Sequence, residues 1–173
     1  ARRSALKARS QTANQIYAIV NTAPEELRAR FHGRPVRTVV DTAARFHRSQ
    51  ISSPVDAAKC SLRHLARRWQ SLTDEMADLD VHLEQLTATT APTLVALNGA
   101  GTQTAAILLI AAGDNPARLH SSASFAALCG ASPIDASSGL QQRHRLNRGG
   151  DRQANSALYI IVISRLRWHR ETQ

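Results

Sequence analysis

The sequence predicts an all-α fold, in which a long coiled-coil-like helix or helical hairpin precedes a small helical domain with a helix-hairpin-helix-like turn. Three observations support this prediction. Hydrophobic residues make up 43% of the 173 residues and aromatic residues only 4%, so a core must be built mainly from alanine, leucine, isoleucine and valine. Alanine and leucine favour helix. Few segments alternate with the period of a half-buried strand, whereas the middle of the chain repeats with a helical period.

The first 53 residues predict linking helices. Residues 1–23 show helical apolar spacing. Pro24 and the two glutamates after it resemble the first turn of a second helix, because proline tolerates that position and acids favour the helix N-terminus. A short third helix is predicted over residues 38–46, and the Ser-Ser-Pro sequence at 52–54 marks a break.

Residues 54–91 carry the clearest periodic pattern. Apolar side chains there alternate in steps of three and four for more than three heptads, which is typical of a coiled-coil seam. The seam consists of Leu62, Leu65, Trp69, Leu72, Met76, Leu79, Leu83 and Leu86. An intermolecular coiled coil, an antiparallel hairpin with the earlier helices, and a single helix packed on its own domain would each satisfy it. We expect a homo-oligomer formed through this helix.

Residues 92–173 predict a separate helical domain. Its start suggests helix, tight turn, helix, because Gly99 and Gly101 allow unusual backbone angles and leave N–H groups free at the second helix. Gly99, Gly101 and Thr102 are therefore candidate nucleic-acid contacts, as in a helix-hairpin-helix; an ordinary helix–helix turn is the alternative. Asp114 and Pro116 should end the second helix.

The remainder of this domain predicts two helices joined by a long polar loop. Ser121 or Ser122 can cap the first helix, and Asp151 opens the last one. The loop between them, residues 131–150, is long enough to suggest either a function or disorder. It contains two adjacent serines and several basic side chains, which favours a function.

The candidate chemistry of the loop is nucleophilic attack on a phosphodiester. A serine hydroxyl needs partners that remove its proton and stabilise the developing charge, and guanidinium groups suit a charged phosphate. Gly139 would let a nucleic-acid backbone approach the serines. The candidate residues are Ser137, Ser138, Arg143, His144, Arg145, Arg148 and Arg152. A solvated serine-glycine turn is the alternative.

The net charge indicates an anionic partner. Lysine plus arginine number 22 against 13 acids, which gives a formal charge of +9. Lys7 and Lys59 are the only lysines. Arginine matches phosphate and guanine edges well, although a GC-rich coding sequence would produce the same preference.

Cysteine usage and hydropathy exclude several other classes. Cys60 and Cys129 have no metal-ligand or disulfide spacing, which favours a reducing compartment and predicts no metal site. No apolar run is long enough to span a membrane. Because the chain starts at Ala1 without a signal-peptide pattern, we interpret it as a cytoplasmic fragment or processed form.

Residues 94–163 resemble the C-terminal transposase domain of the bridge-RNA-guided, DEDD-type insertion-sequence transposases, with their preceding coiled-coil segment. The segments that carry the resemblance are Leu97-Asn98-Gly99-Ala100-Gly101-Thr102, Ser124-Phe125-Ala126-Ala127-Leu128-Cys129-Gly130-Ala131-Ser132-Pro133, Ser137-Ser138-Gly139 and Arg148-Gly149-Gly150-Asp151-Arg152-Gln153-Ala154-Asn155-Ser156-Ala157-Leu158-Tyr159. Their order and spacing are similar to those of the family.

The resemblance implies a bacterial, nucleoid-associated recombinase of a mobile element. In that family the serine directly before the glycine attacks DNA and forms a phosphoserine link, which corresponds to Ser138, with Ser137 as the fallback. The resemblance also implies DNA and a guide RNA as partners. Divalent metal, Mg²⁺, is expected in a separate RNase H-like acidic domain that this sequence lacks, so no cofactor is expected within the chain.

Two other functions are compatible with the sequence. A non-catalytic, basic nucleic-acid-binding and oligomerisation module would need only the charge, the glycine turn and the heptad seam. A serine hydrolase is disfavoured, because the sequence has no G-x-S-x-G elbow.

Overall fold

The computed structural model describes residues 1–48 and 50–173, and helices dominate them. The helices are α1 (Arg2–Thr22), α2 (Glu25–Phe31), α3 (Val36–Ala43), α4 (Pro54–Thr90), α5 (Pro92–Ala96), α6 (Thr102–Ala112), α7 (Ser122–Leu128) and α8 (Arg152–Trp168). Two strands, β1 (Ile134–Asp135) and β2 (His144–Arg145), lie between α7 and α8, and short 3₁₀ helices cover Pro116–Arg118 and Arg170–Thr172. The predicted all-α fold is confirmed.

The bounds of α3 differ from the predicted ones, whereas the start of α2 agrees with its prediction. Helix α3 spans Val36–Ala43, whereas the sequence predicted residues 38–46. The helix starts directly after Pro35, whose φ of −56° is fixed by its ring and whose ψ of 144° is not helical. Helix α2 begins at Glu25, directly after Pro24, as its two acidic first-turn residues suggested.

The chain divides into two compact units, residues 1–81 and 82–173. The core of the first unit joins α1, α2, α3 and the first half of α4. Its buried residues are Ile16, Val20, Ala23, Leu27, Phe31, Val39, Val40, Ala43, Leu62 and Ala66. Burial of aliphatic side chains at roughly 25 cal/mol per Å² is the main stabilising contribution to such a core.

Helix α1 runs antiparallel to α4. Arg2, at the start of α1, forms an ion pair with Asp80 through two hydrogen bonds. The bond from Nη2 to Oδ2 is 3.0 Å long. The guanidinium of Arg9 lies 5.4 Å from the ring centroid of Trp69. Ile16 shares the core with Leu62. The first part of the heptad seam is thus packed against an earlier helix of the same chain, as the hairpin alternative predicts; an intermolecular coiled coil stays a prediction.

The second unit has a core of small side chains. Leu108 of α6, Cys129 after α7, and Ala154 and Ala157 of α8 are its buried members. Alanines on one face of α8 let α6 approach it closely, because they add little beyond the helix backbone. None of the helices in the described part of the chain has the length and hydropathy that a membrane span requires.

Candidate functional site

A close contact between two glycines forms the base of the candidate site. Helix α7 ends at Leu128, and Gly130, two residues further along, has a φ of +67°. A β-carbon at Gly150 would lie 2.1 Å from the Gly130 nitrogen, so the two backbones touch. Beside them the Asp151 N–H donates to the Leu128 carbonyl at 2.7 Å. The end of α7 and the start of α8 therefore lie next to each other, and these contacts hold both ends of the intervening segment, residues 131–149.

The segment between these glycines forms a β-hairpin. Ile134 pairs with Arg145 and Asp135 with His144 in antiparallel register. Ser138 and Gln141 exchange N–H to carbonyl bonds of 3.1 Å in both directions. Gly139 opens the two-residue turn with a φ of +57°, as hairpin turns of this kind require. The sequence predicted only a polar loop here, because the strands are too short and polar to produce an alternating pattern.

Ser137 is engaged in holding the hairpin together. Its N–H donates to Asp135 Oδ1 at 2.8 Å, and its hydroxyl donates to the same carboxylate. In the other direction, the Arg143 N–H donates to Ser137 Oγ at 3.2 Å. These contacts give the Ser137 hydroxyl a part in ordering the hairpin.

The carboxyl group of Asp135 responds to these contacts. The hydrogen bond from the Ser137 hydroxyl lowers the pKa of Asp135 below its ordinary value of 3.8, and the backbone N–H groups of Ser137 and Ala136 act in the same direction. Hydrogen bonds to the charged form stabilise it. Asp135 therefore stays ionised as the acceptor that orders this strand.

Ser138 differs from Ser137 in its surroundings. Its backbone pairs with that of Gln141 beside the turn, and its hydroxyl is not among the groups that bond the Asp135 carboxylate. Ser138 is exposed, and its hydroxyl has no hydrogen-bond partner within residues 1–48 and 50–173. The register also assigns Arg143 to the Ser138 face, as the diagonal neighbour across the ladder. Such neighbours lie about 7–8 Å apart, within reach of a long side chain.

The remaining basic residues surround the base of the hairpin. Arg145 and Arg148 line one open cleft of about 420 Å³ together with Ile134. Arg148 and Arg152 line a neighbouring cleft of about 210 Å³ that also contains Asn155. All three arginines are exposed, and no carboxylate in the described ranges forms an ion pair with them. Their charges are available to an anion.

His144 is separated from the exposed serine. It stands directly opposite Asp135 in the ladder, on the face that carries Ser137. The register therefore does not bring this imidazole to the Ser138 hydroxyl. His144 is exposed and can contact an anion from its own face.

The predicted glycine turn lies elsewhere in the unit. Gly99 has a φ of +85°, and a β-carbon there would lie 2.9 Å from the Ile161 carbonyl of α8. Gly101, by contrast, is exposed and open to solvent, and Thr102 begins α6. Ile161 is about 15 Å along α8 from the Asp151 cap, at 1.5 Å per residue. The structure does not bring this turn together with the hairpin, and Gly99 packs against α8.

Two asparagines near the clefts were not singled out by the sequence reasoning. Asn155 Nδ2 donates to the Cys129 carbonyl at 3.0 Å and joins α8 to the end of α7. Asn147 Oδ1 accepts from the Gly149 N–H at 3.0 Å. The Asn-Arg-Gly-Gly sequence is a turn signal that could have revealed the second contact.

Metal-ligating residues do not cluster here. Within residues 1–48 and 50–173, no group of three or more histidine, cysteine, aspartate or glutamate side chains is positioned to bind a metal ion. The two carboxylates nearest to the hairpin are otherwise engaged. Asp135 orders Ser137, and Asp151 accepts from the Gln153 and Ala154 N–H groups at the start of α8.

Comparison with known proteins identifies the second unit. Residues 91–173 match the family described as Transposase IS116/IS110/IS902 family. No curated protein and no solved structure matches the chain. The matched residues include the glycine turn, the hairpin, the arginine clefts and α8. Residues 91–173, a little under half of the chain, are therefore similar to the IS116/IS110/IS902 transposase family.

Proposed function

We propose that this chain binds DNA for a transposase and supplies Ser138 as the nucleophile for strand cleavage and exchange. The observation that carries the proposal is the difference between the two serines. Ser137 is bonded to Asp135 and Arg143, whereas Ser138 is exposed on the face that the register gives to Arg143. Of the two hydroxyls, only that of Ser138 has no hydrogen-bond partner within the described residues, so it can approach a phosphate without breaking a contact of the hairpin.

The proposed reaction is a transesterification. The Ser138 oxygen forms a bond to phosphorus while the bond from phosphorus to a deoxyribose oxygen breaks. Overall, the serine proton is transferred to that departing oxygen, so the products are a phosphoserine ester and a free hydroxyl on the other DNA end. Arg143 would hold the negative charge that develops on the phosphate oxygens.

The arginine clefts would position the DNA for this step. The Ser138 pair lies four residue steps along the hairpin from the Arg145 pair, which is about 13 Å at the rise of a strand. That length corresponds to about four base pairs along a duplex axis. Phosphates held by Arg145, Arg148 and Arg152 would thus anchor the strand a few nucleotides from the attacked one, and His144, Gly101 and Thr102 are further proposed contacts.

The proposal includes partners beyond this chain. Because Asp135 and Asp151 are engaged and no metal cluster exists in the described residues, the Mg²⁺ that assists phosphoryl transfer would be bound by another, acidic domain. A guide RNA and a second copy of the chain, joined through α4, are the other proposed partners. The family resemblance and the exposed seam residue Leu86 support these assignments.

The test is a pair of single substitutions in the transposase reconstituted with its acidic domain. Ser138→Ala should abolish strand cleavage and the covalent protein–DNA species, seen as a shifted band on a denaturing gel. It should leave DNA affinity unchanged, since a hydroxyl adds little to an electrostatic interface. Ser137→Ala is the matched control, and it should keep the covalent species while loosening the hairpin. Unchanged cleavage by Ser138→Ala would exclude this nucleophile.

A non-catalytic nucleic-acid-binding module is the second candidate. It is favoured by the lack of a described proton acceptor beside Ser138, since His144 lies on the other face. Under this alternative, binding falls steeply with salt and depends on Arg143, Arg145 and Arg148, while Ser138→Ala changes nothing. An absence of salt-sensitive DNA or RNA binding would contradict both candidates.

A further inference from the structure

A buried arginine in the first unit lacks a hydrogen-bond partner. Arg63 lies on the inner side of α4 between the buried residues Leu62 and Ala66, and its own exposure is 7%. Its Nε atom is enclosed and has no acceptor within the described ranges, 1–48 and 50–173. Buried polar groups in folded proteins are nearly always hydrogen-bonded, so this exception calls for a physical cause.

The surroundings of Arg63 increase the electrostatic strain. Burial, followed by the neighbouring charges of Arg67 and Arg48, lowers the pKa of the Arg63 guanidinium from its ordinary value. Arg67 is one helical turn further along α4, which brings the two side chains onto the same surface. An arginine does not lose its proton in a protein. Two exposed cations therefore act electrostatically on a third that is largely withdrawn from water.

No carboxylate of residues 1–48 and 50–173 forms an ion pair with Arg63. In the sequence from Arg28 to Leu72 the only acids are Asp41 and Asp56. The Asp56 carboxylate accepts hydrogen bonds of 2.9 and 2.7 Å from the Ser52 and Ser53 hydroxyls. The cations of the same stretch are Arg28, Arg30, Arg34, Arg37, Arg45, Arg48, Lys59, Arg63, Arg67 and Arg68.

Part of the Arg63 guanidinium is still accessible. Only its Nε is both enclosed and unpartnered, so the terminal nitrogens retain contact with solvent. Arg48 and Arg67 are themselves exposed. Each of the three guanidinium groups is therefore accessible from solvent at least in part, and a small outward shift of Arg63 would present Nε and a terminal nitrogen as a bidentate pair.

We infer that Arg48, Arg63 and Arg67 form a binding site for a phosphate group of a nucleic-acid backbone. A tetrahedral phosphate has several acceptor oxygens and can engage more than one guanidinium at once. A phosphodiester also brings further phosphates, which suits a stretch where cations so outnumber acids. This site lies in residues 1–81, outside the family match, and it is independent of Ser138 and the arginine clefts.

The proposal is tested by DNA binding to the full chain, measured by fluorescence anisotropy over a range of salt concentrations. Arg63→Met should weaken binding of a labelled duplex about tenfold at low salt, as expected for the loss of a charge-assisted contact. It should also reduce the slope of log affinity against log salt by about one. Arg48→Gln should act in the same direction, and as an exposed position it preserves a readout if Arg63→Met does not fold.

Arg68→Met is the matched control. It makes the same change of charge on the same helix, but Arg68 is exposed and does not perturb Arg63. We expect it to weaken binding less than about threefold, because it removes only a surface charge. An equal loss in both variants would show that only net charge matters and would overturn the site.

Thermal unfolding distinguishes the sources of the phosphate. Duplex DNA or single-stranded RNA should raise the melting temperature of the wild-type chain more than that of Arg63→Met. Stabilisation by inorganic phosphate alone, without a response to either polymer, would exclude a nucleic-acid site. Arg63→Met could instead change the mass of the chain in solution, from a dimer to a monomer, while leaving the salt slope unchanged. The acceptor of Arg63 would then be a carboxylate of a second copy, and the proposal would fail. Ser138→Ala should alter none of these quantities, so this site and the proposed nucleophile fail separately.

Discussion

The backbone of Gly150 lies against that of Gly130 so closely that even a methyl group has no room between them. Gly130 ends the turn after α7, and Gly150 immediately precedes the Asp151 cap of α8. The contact fixes the distance between the two strands of the hairpin at their base. These glycines therefore contribute to the candidate site by positioning the hairpin, and they supply none of its reactive groups.

Gly150→Ala should destabilise the second unit. The added β-carbon would meet Gly130 backbone atoms at 2.1 and 2.4 Å, and because backbone cannot yield as a flexible side chain does, we expect a loss of about 3 kcal/mol or more. Hydrogen exchange of the α8 amides would measure it. Gly149→Ala is the control, since its nearest contact is Asn147 Oδ1 at 3.5 Å, and it should change stability by less than about 0.5 kcal/mol. Similar effects of both would contradict the close contact.

A second glycine pair separates packing from ligand binding. Gly99→Ala would place a side chain at a φ of +85° and 2.9 Å from the Ile161 carbonyl, so it should cost about 1–3 kcal/mol in denaturant unfolding. Gly101→Ala has open space and an extended backbone, and it should leave stability nearly unchanged. If Gly101→Ala weakens DNA binding while remaining stable, the turn contacts the backbone; if neither variant affects binding, its role is packing alone.

The hairpin should depend on pH through Asp135. Its pKa is lowered in the folded state, so its contribution is complete above the ordinary value of 3.8 and is lost as pH falls through the lower folded value. NMR titration of the Asp135 carboxyl carbon, together with exchange of the Ser137 amide, would follow this. Ser137→Ala removes the largest cause of the shift, and the pKa should then rise toward 3.8. Ser138→Ala should leave the titration unchanged; a shift there would contradict the assignment of faces.

The two cysteines should differ in reactivity. Cys129 is fully buried, and burial, followed by the charge of Asp151, raises the pKa of its thiol above the ordinary value of 9.0. Because the thiolate is the reactive form, an alkylating agent should modify the half-buried Cys60 first and Cys129 only when the second unit opens. Mass spectrometry of a timed reaction would show the order. Rapid labelling of Cys129 in the folded chain would contradict the core described here.

The sequence predicted those parts of the molecule in which local chemistry determines the outcome. Helical periodicity and cap residues located most helices, because Ser121 and Asp151 each bind free N–H groups at a helix start. The hairpin was missed, since β1 and β2 have two residues each and their pairing depends on the Gly130–Gly150 contact twenty residues apart. A contact between distant backbones has no sequence periodicity.

The sequence predicted the types of the site residues, whereas their contacts become visible only in the structure. Ser138, the arginines and the Gly99 turn stay predictions as nucleic-acid contacts. The structure adds that the Ser137 hydroxyl is bonded to Asp135 and that the β position of Gly99 faces α8, and neither contact has a local sequence signal. Arg63 carried no sequence signal, because burial of a cation becomes visible only when the neighbouring helices are in place.

The length of the two-residue turn determines the strand register of the hairpin and so the direction of its side chains. Side chains alternate with a period of two along a strand, so a change of one residue between Ser138 and Gln141 would reverse the facing of everything that precedes it. A shortened turn would release the Ser137 oxygen and turn the Ser138 oxygen inward, although neither serine had been altered. The number of residues in this turn, as well as their types, therefore determines which of the two serine oxygens is exposed to solvent.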